Sequence, residues 1–315
     1  MKLMSKTAKA IAVSLGALML SGAGLAANSI AGATGATSIV DKRPLTDASS
    51  IAVGAYDPHG DFSADRNVAY EHLFLPWEDV DLSSLAVADQ YAAERGRGLI
   101  ITVEPWSWSV DRRQSSGKLL KGILAGKYDA NMGAICSASA ALKSPVIIRW
   151  AQEMDETDNQ FTWAKWAPSD YVSAYRRMVT ECRKTNTTAH YMWSPKGNAS
   201  LAEFYPGDAF VDVVGLTVFG LQQYDLDKFG HERSFAEALS PGYHRVEQFG
   251  KPVMVAELGY EGDREYVRKW AETVAKPNAE FPRLTAVVYF NDREVYPWPD
   301  HYGLPDWRVT SVATN

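Results

Sequence analysis

Cysteine is scarce in this chain, with Cys136 and Cys182 the two among 315 residues, which excludes a disulfide-dense mini-protein. Whether those two form one bridge or remain buried thiols depends on geometry and stays open at this point. The six histidines form no HExxH pair and no Cys/His cluster, so neither a metal nor a cofactor is expected. Basic residues are outnumbered, 32 against 38 acidic ones for a formal charge of −6. That balance gives no positive field for a phosphate backbone, and nucleic acid is not an expected partner. No GxGxxG or P-loop follows the first apolar run, which argues against an open doubly wound nucleotide fold.

What the chain does have is ordinary globular content, 46% hydrophobic and 22% charged, with aromatics at 11%. Ten Trp, fifteen Tyr and eleven Phe suit a core, and they also suit a ligand with flat apolar faces such as a sugar ring. At the start, Lys2, Lys6 and Lys9 precede the apolar stretch from Ala10 to Leu20, and Gly24, Leu25 and Ala26 supply small residues where a signal peptidase reads. Residues 1–26 are therefore expected to be a secretory signal; a membrane anchor is disfavoured because the run is shorter than the ~20 residues that span a bilayer. The product is expected to be a secreted monomer, extracellular or periplasmic, with no membrane association after cleavage. Residues 27–50, rich in Ala, Gly, Ser and Thr, read as a flexible leader.

Residues 51–315 read as one domain. Eight short apolar runs recur, at residues 51–56, 72–77, 98–105, 145–152, 189–194, 211–219, 252–259 and 285–290. Each is rich in Val, Ile and aromatics and too short for a helix, while segments such as 170–185 and 264–275 carry helical periodicity. Strands alternating with helices pair in parallel and are buried on both faces. Eight such units in about 260 residues fit an α/β fold of the (β/α)8 TIM barrel type, typically ~250 residues.

In such a barrel the working residues sit at the C-terminal ends of the strands. The fourth run delivers Glu153 and the seventh delivers Glu257, each at the end of an otherwise apolar segment. Two carboxylates converging on one rim suit glycoside hydrolysis: one protonates the leaving oxygen, and the other attacks the anomeric carbon when the gap is roughly 5–5.5 Å. Repulsion between them is expected to leave Glu257 ionised and Glu153 protonated at rest. Arg149, in the same strand as Glu153, is a candidate partner for Glu257, or else a structural ion pair deep in the barrel.

Arg149-Trp150-Ala151-Gln152-Glu153-Met154-Asp155 resembles the Arg-x-x-His-Glu-Met-Asn segment around the acid/base of glycoside hydrolase family 26, a β-mannanase-like family in the clan of retaining (β/α)8 glycosidases. Further similarity lies in 125–129, in Met192-Trp193-Ser194-Pro195 and in Tyr205-Pro206-Gly207-Asp208 with the run that follows. By that resemblance Glu153 is the acid/base and Glu257 the nucleophile. Gln152 stands where the family's mannanases commonly have His, and Asp155 where they have Asn. Strand six ends in Phe219, where many clan members place a Tyr that hydrogen-bonds the nucleophile; Tyr224 is the nearby candidate to substitute.

Trp106, Trp163 and Trp193 all follow or end strands on the loop side, where sugar faces would stack, as do Trp108, Trp166, Trp298 and Trp307. Trp150 and Trp270 are expected in the core. The expected substrate-binding set is thus Trp106, Arg149, Gln152, Trp163, Trp193, Phe219 and Tyr224. The function these residues point to is a secreted retaining endo-β-glycanase acting on a β-linked polysaccharide, whether β-mannan, a β-glucan, β-1,3-xylan or an exopolysaccharide. The alternative is a non-catalytic, glycan-binding barrel of the same fold.

Overall fold

The eight short runs of β-branched and aromatic residues become eight parallel strands that close into a barrel in chain order, β1 beside β8. The computed structural model describes residues 41–156 and 160–310; the expected signal peptide and the start of the leader lie outside them. The strands are β1 (Ala52–Tyr56), β2 (Val68–Pro76), β3 (Gly98–Glu104), β4 (Val146–Trp150), β5 (His190–Trp193), β6 (Val213–Leu221), β7 (Val253–Glu261) and β8 (Leu284–Phe290). Strand parity separates two cores. Ile100, Ile147, Met192, Met254, Ala256, Ala286 and Val288 fill the barrel interior. Residues of opposite parity, such as Ile101, Ile148, Val214 and Val255, face the surrounding layer.

That layer is uneven. The α-helices are α1 (Ser84–Ala93) after β2, α2 (Ser116–Leu124) and α3 (Asp129–Ala140) after β3, and α4 (Pro168–Cys182) after β4. They continue with α5 (Gln222–Phe229) and α6 (Phe235–Val246) after β6, and α7 (Arg264–Thr273) after β7. No α-helix joins β1 to β2 or β5 to β6, nor follows β8 among the described residues, so the eight expected units are not all strand plus helix. No described helix is long and apolar enough to cross a membrane.

Residues 41–50 pack against β7, α7 and the segment after β8, which corrects the reading of that part as a loose leader. Lys42 is fully buried, its amide donates to Val309 O at 3.2 Å and its Nζ to Asp306 O at 2.6 Å. Leu45 N donates to Ala271 O at 2.8 Å, and Tyr260 from β7 donates its hydroxyl to Lys42 O. The other open question closes too: Cys136 of α3 and Cys182 of α4, with Cα atoms 5.1 Å apart, form a disulfide.

Candidate active site

β4 ends in an unusual turn, and the turn aims Glu153. Alternation puts Val146, Ile148 and Trp150 against the outer layer and leaves Arg149 pointing inward. Beyond Trp150 the chain enters the left-handed region twice, at Ala151 (φ 48°) and Glu153 (φ 54°), which costs about 1–2 kcal/mol per L-residue. Neighbours hold it there. Glu153 N donates to Ser194 O at 2.7 Å, Trp163 Nε1 to Gln152 O at 2.6 Å and Tyr171 OH to Ala151 O at 3.2 Å. The buried Asp155 carboxylate accepts the amides of Lys196, Gly197 and Asn198 at 2.6, 3.0 and 2.7 Å, tying the loop after β4 to the loop after β5.

Glu257 reaches the interior through a bulge. Leu216 pairs with Val255, yet the next residue, Thr217, pairs with Glu257, so Ala256 is the extra residue on β7. Val255 and Leu258 face outward while Ala256 lies in the interior core, and Glu257 turns inward to meet Arg149. Strand parity alone would have sent Glu257 outward if Ala256 faced in.

The guanidinium of Arg149 is fully buried, and its contacts explain how a charge is kept there. Arg149 Nη1 donates to Glu257 Oε1 at 2.6 Å, and Nε donates to Ser194 Oγ at 2.9 Å. Thr102 Oγ1, itself 2.7 Å from His72 Nε2, lies 3.3 Å from Nη1. Gly215 makes room for this: a Cβ there would stand 2.6 Å from Ser194 Oγ and 2.7 Å from Met192 Sδ. Thr217, the cross-strand neighbour of Glu257, donates its hydroxyl to Glu153 Oε1. Burial pushes Glu257 up to about 7; Arg149 pulls the other way and the nearby Glu153 adds to the rise. That departs from the expectation of a fully ionised resting Glu257. Burial and the Arg149 charge keep His72 far below the usual histidine range, hence neutral.

The aromatic expectations need correction. Trp193 is fully buried and faces outward, against Tyr205 and Phe249, because Met192 holds the inward parity. Trp163 is fully buried and stacked on Phe161 at 4.8 Å. Trp106 is 5% exposed, and the Arg113 guanidinium lies 3.5 Å above its ring. None of the three offers an open face. Gln152 is buried and its amide donates to Glu104 Oε1 at 3.2 Å, so it is turned to a carboxylate and not to solvent. Phe219 does point inward, half-buried and stacked on Trp307 at 4.7 Å. Tyr224 packs on Trp298 and Tyr302 at 5.7 and 5.3 Å; the hydrogen bond that Glu257 receives comes from Arg149.

Several site residues went unnoticed in the sequence. Glu104 ends β3 as Glu153 and Glu257 end their runs, and the same signal would have found it. Its Oε2 accepts Nε1 of both Trp106 and Trp108 at 2.9 Å, and Trp108 remains 42% exposed. Tyr56, Phe74 and Phe290 form a half-buried aromatic group, with Tyr56 5.0 Å from each of the other two rings. Burial, with Asp292, Glu104 and Glu257 nearby, pushes the Tyr56 phenol up to about 12. Glu294 is raised by burial and by Glu153, against the hydrogen bond from Trp307 Nε1 at 3.0 Å. Among the described residues no group of three His, Cys, Asp or Glu is placed to hold a metal ion.

Residues 124–235 match the model of glycosyl hydrolase family 26, a span that includes Glu153 and stops short of Glu257. A β-1,3-xylanase from Alcaligenes is 23% identical over 151 residues, covering 46% of this chain and 31% of that protein. A mannan endo-1,4-β-mannosidase from Bifidobacterium adolescentis is 23% identical over 214 residues, 60% of this chain and 21% of its own. The chain thus spans about a third or less of these curated relatives. Among solved structures, GH26C from Muricauda superposes with a TM-score of 0.59 at 15% identity, covering 77% of this chain and 79% of its own. The catalytic domain of a Bacillus endo-β-1,4-mannanase gives 0.54 at 19%, covering 72% and 68%; both likenesses concern the fold. The segment similar to glycosyl hydrolase family 26 carries the strand-end Glu153, and the barrel brings Glu257 in beside it through Arg149 and Thr217.

Proposed function

We propose that the chain is an exported, retaining endo-β-glycanase in which Glu257 is the nucleophile and Glu153 the acid/base. The observation that carries this reading is Thr217, which bonds Glu153 and sits directly across from the Arg149-paired Glu257, so two carboxylates with different environments share one small site. Arg149 favours the ionised Glu257 that attacks the anomeric carbon. Glu153 gives its proton to the leaving glycosidic oxygen, and once Glu257 is esterified the repulsion between the two ends, which frees Glu153 to take a proton from the attacking water. Carboxyl groups of Glu104, Glu153, Glu257 and Glu294 cluster at the site, a setting that disfavours an anionic polymer. A neutral β-glycan fits. Both glutamates and Arg149 come from one chain, so a monomer suffices for the chemistry. Export is supported by the lysine-led apolar N-terminus and by the Cys136–Cys182 disulfide, which suits an oxidising compartment.

The relatives' names direct the choice of substrates to β-1,4-mannan and β-1,3-xylan, with mixed-linkage β-glucan beside them. A reducing-sugar assay on the three is expected to show release from one, with falling viscosity as internal bonds break. Proton NMR of the first product is expected to show the β anomer before mutarotation. Initial release of the α anomer overturns the retaining assignment, and glycan binding without cleavage of any bond overturns the enzyme in favour of a binding barrel.

A further inference from the structure

The Trp106 ring that a sugar would need is already covered, and the residue covering it reaches across the mouth. Arg113 lies with its guanidinium 3.5 Å over the Trp106 ring, donates Nε–H to Ser107 O at 3.0 Å and Nη1–H to the Tyr296 hydroxyl at 3.3 Å. Arg113 belongs to the loop after β3 and Tyr296 to the loop after β8. Those strands flank β1 and β2 in the barrel, so the contact passes over the ends of that pair.

Both loops are anchored. Ser107 Oγ and Arg112 Nη1 donate to the two oxygens of Asp79 at 2.8 and 2.9 Å. On the far side, Lys228 Nζ donates to Asp300 Oδ2 at 2.6 Å and Tyr302 OH to Asp227 Oδ2 at 3.0 Å, holding the loop after β8 against α5. The bridge also stands close to the chemistry, because Trp106 shares Glu104 with Gln152, the neighbour of Glu153.

We infer that Arg113 is a specificity-determining residue: with Tyr296 it walls one end of the cleft, occupies the Trp106 face, and so limits how many sugar units fit on the β1–β2 side. The inference rests on reading the mouth as a glycan cleft. A guanidinium on an aromatic face makes the same kind of flat contact that a sugar ring makes, and the two exclude each other. Removing Arg113 leaves the edge contact between Trp106 and Trp163 at 4.8 Å in place and frees the face that the guanidinium covers.

The test is calorimetric titration and product analysis with β-1,4-manno- and β-1,3-xylo-oligosaccharides of two to six units, on the wild type, Arg113→Ala and Tyr296→Phe. In the wild type, affinity is expected to stop rising once the walled cleft is full. In Arg113→Ala it is expected to rise on the order of tenfold for one further unit, the scale of a single stacking face, with cleavage products one unit longer. Tyr296→Phe, which removes one hydroxyl and keeps the ring, is expected to shift the same way by a smaller factor, and it decides alone if Arg113→Ala fails to fold. An unchanged length dependence overturns the inference, as does uniform weakening at every length with the melting temperature kept, since Arg113 would then be holding sugar. Binding without cleavage in the wild type sinks the glycanase reading and leaves the length dependence to judge the wall.

Discussion

Thr217 donates its hydroxyl to Glu153 while standing directly beside Glu257 across the β6–β7 ladder. One small side chain therefore registers the two carboxylates against each other, and the bulge at Ala256 is what brings Glu257 opposite it.

Replacing Thr217 by Val keeps the shape and removes the donor. A hydrogen bond of this kind contributes about 0.5–1.5 kcal/mol, so polysaccharide turnover is expected to fall between about twofold and tenfold. An aryl glycoside with an activated leaving group needs no proton in its first step and is expected to lose less. Thr217→Ser is expected to recover most of the rate. Equal losses on both substrates would show that Thr217 serves Glu257 or the fold, and not Glu153.

Glu257 supplies a prediction in pH. Burial raises its folded value from the ordinary 4.5 to about 7, so the fold favours the protonated carboxyl. The stability this supplies is fully present below pH 4.5 and is lost as pH rises through about 7. Glu257→Gln cannot ionise. Its stability relative to the wild type is expected to improve by about 3 kcal/mol between pH 4.5 and pH 8, read from denaturant unfolding at each pH. In the wild type, kcat/KM is expected to rise with pH along a limb centred near 7, where Glu257, the proposed nucleophile, ionises. A pH-independent stability difference would show that burial does not perturb Glu257.

The two glutamates were legible in the sequence because a charged residue closing an apolar run has few places to go in a barrel other than the mouth. The strands were legible for the same reason, being short and apolar throughout. What the runs could not show was which way each ring faces. Trp193 and Met192 are adjacent, and only the path of β5 decides that Met192 turns in and Trp193 out. Trp106 and Trp163 lie in loops where no strand or helix period applies, and their rings are held by partners within those loops, Arg113 for one and Gln152 O for the other. The strapping of residues 41–50 rests on contacts more than two hundred residues away, and no local composition records them.

The disulfide gives a test of the scaffold apart from the chemistry. Cys136 and Cys182 close a loop across 46 residues, and loop-closure entropy assigns about 4 kcal/mol to a link of that length. Cys136→Ala with Cys182→Ala is expected to lose about that much stability in guanidinium unfolding, and the wild type in reductant is expected to match it. Activity at low temperature is expected to stay near wild type, because α3 and α4 lie in the outer layer. A double variant as stable with reductant as the wild type is without it would show that the link adds nothing.

The roles of Glu153 and Glu257 separate most cleanly with an external nucleophile. On the proposed assignment, Glu257→Ala lacks the group that attacks the anomeric carbon, so no covalent intermediate forms and activity is expected to fall by several orders of magnitude whatever the leaving group. Glu153→Ala lacks only the proton donor and later base, so an aryl glycoside with a good leaving group is expected still to esterify Glu257, and the slow step becomes attack by water. Azide needs no base. It is expected to rescue Glu153→Ala by attacking the glycosyl-enzyme, giving a β-glycosyl azide after two inversions, and to give the α product with Glu257→Ala by a single displacement. Proton NMR distinguishes the anomers. Exchange of the two outcomes reverses the assignment of acid/base and nucleophile, and near wild-type turnover of polysaccharide by either variant removes that residue from the reaction.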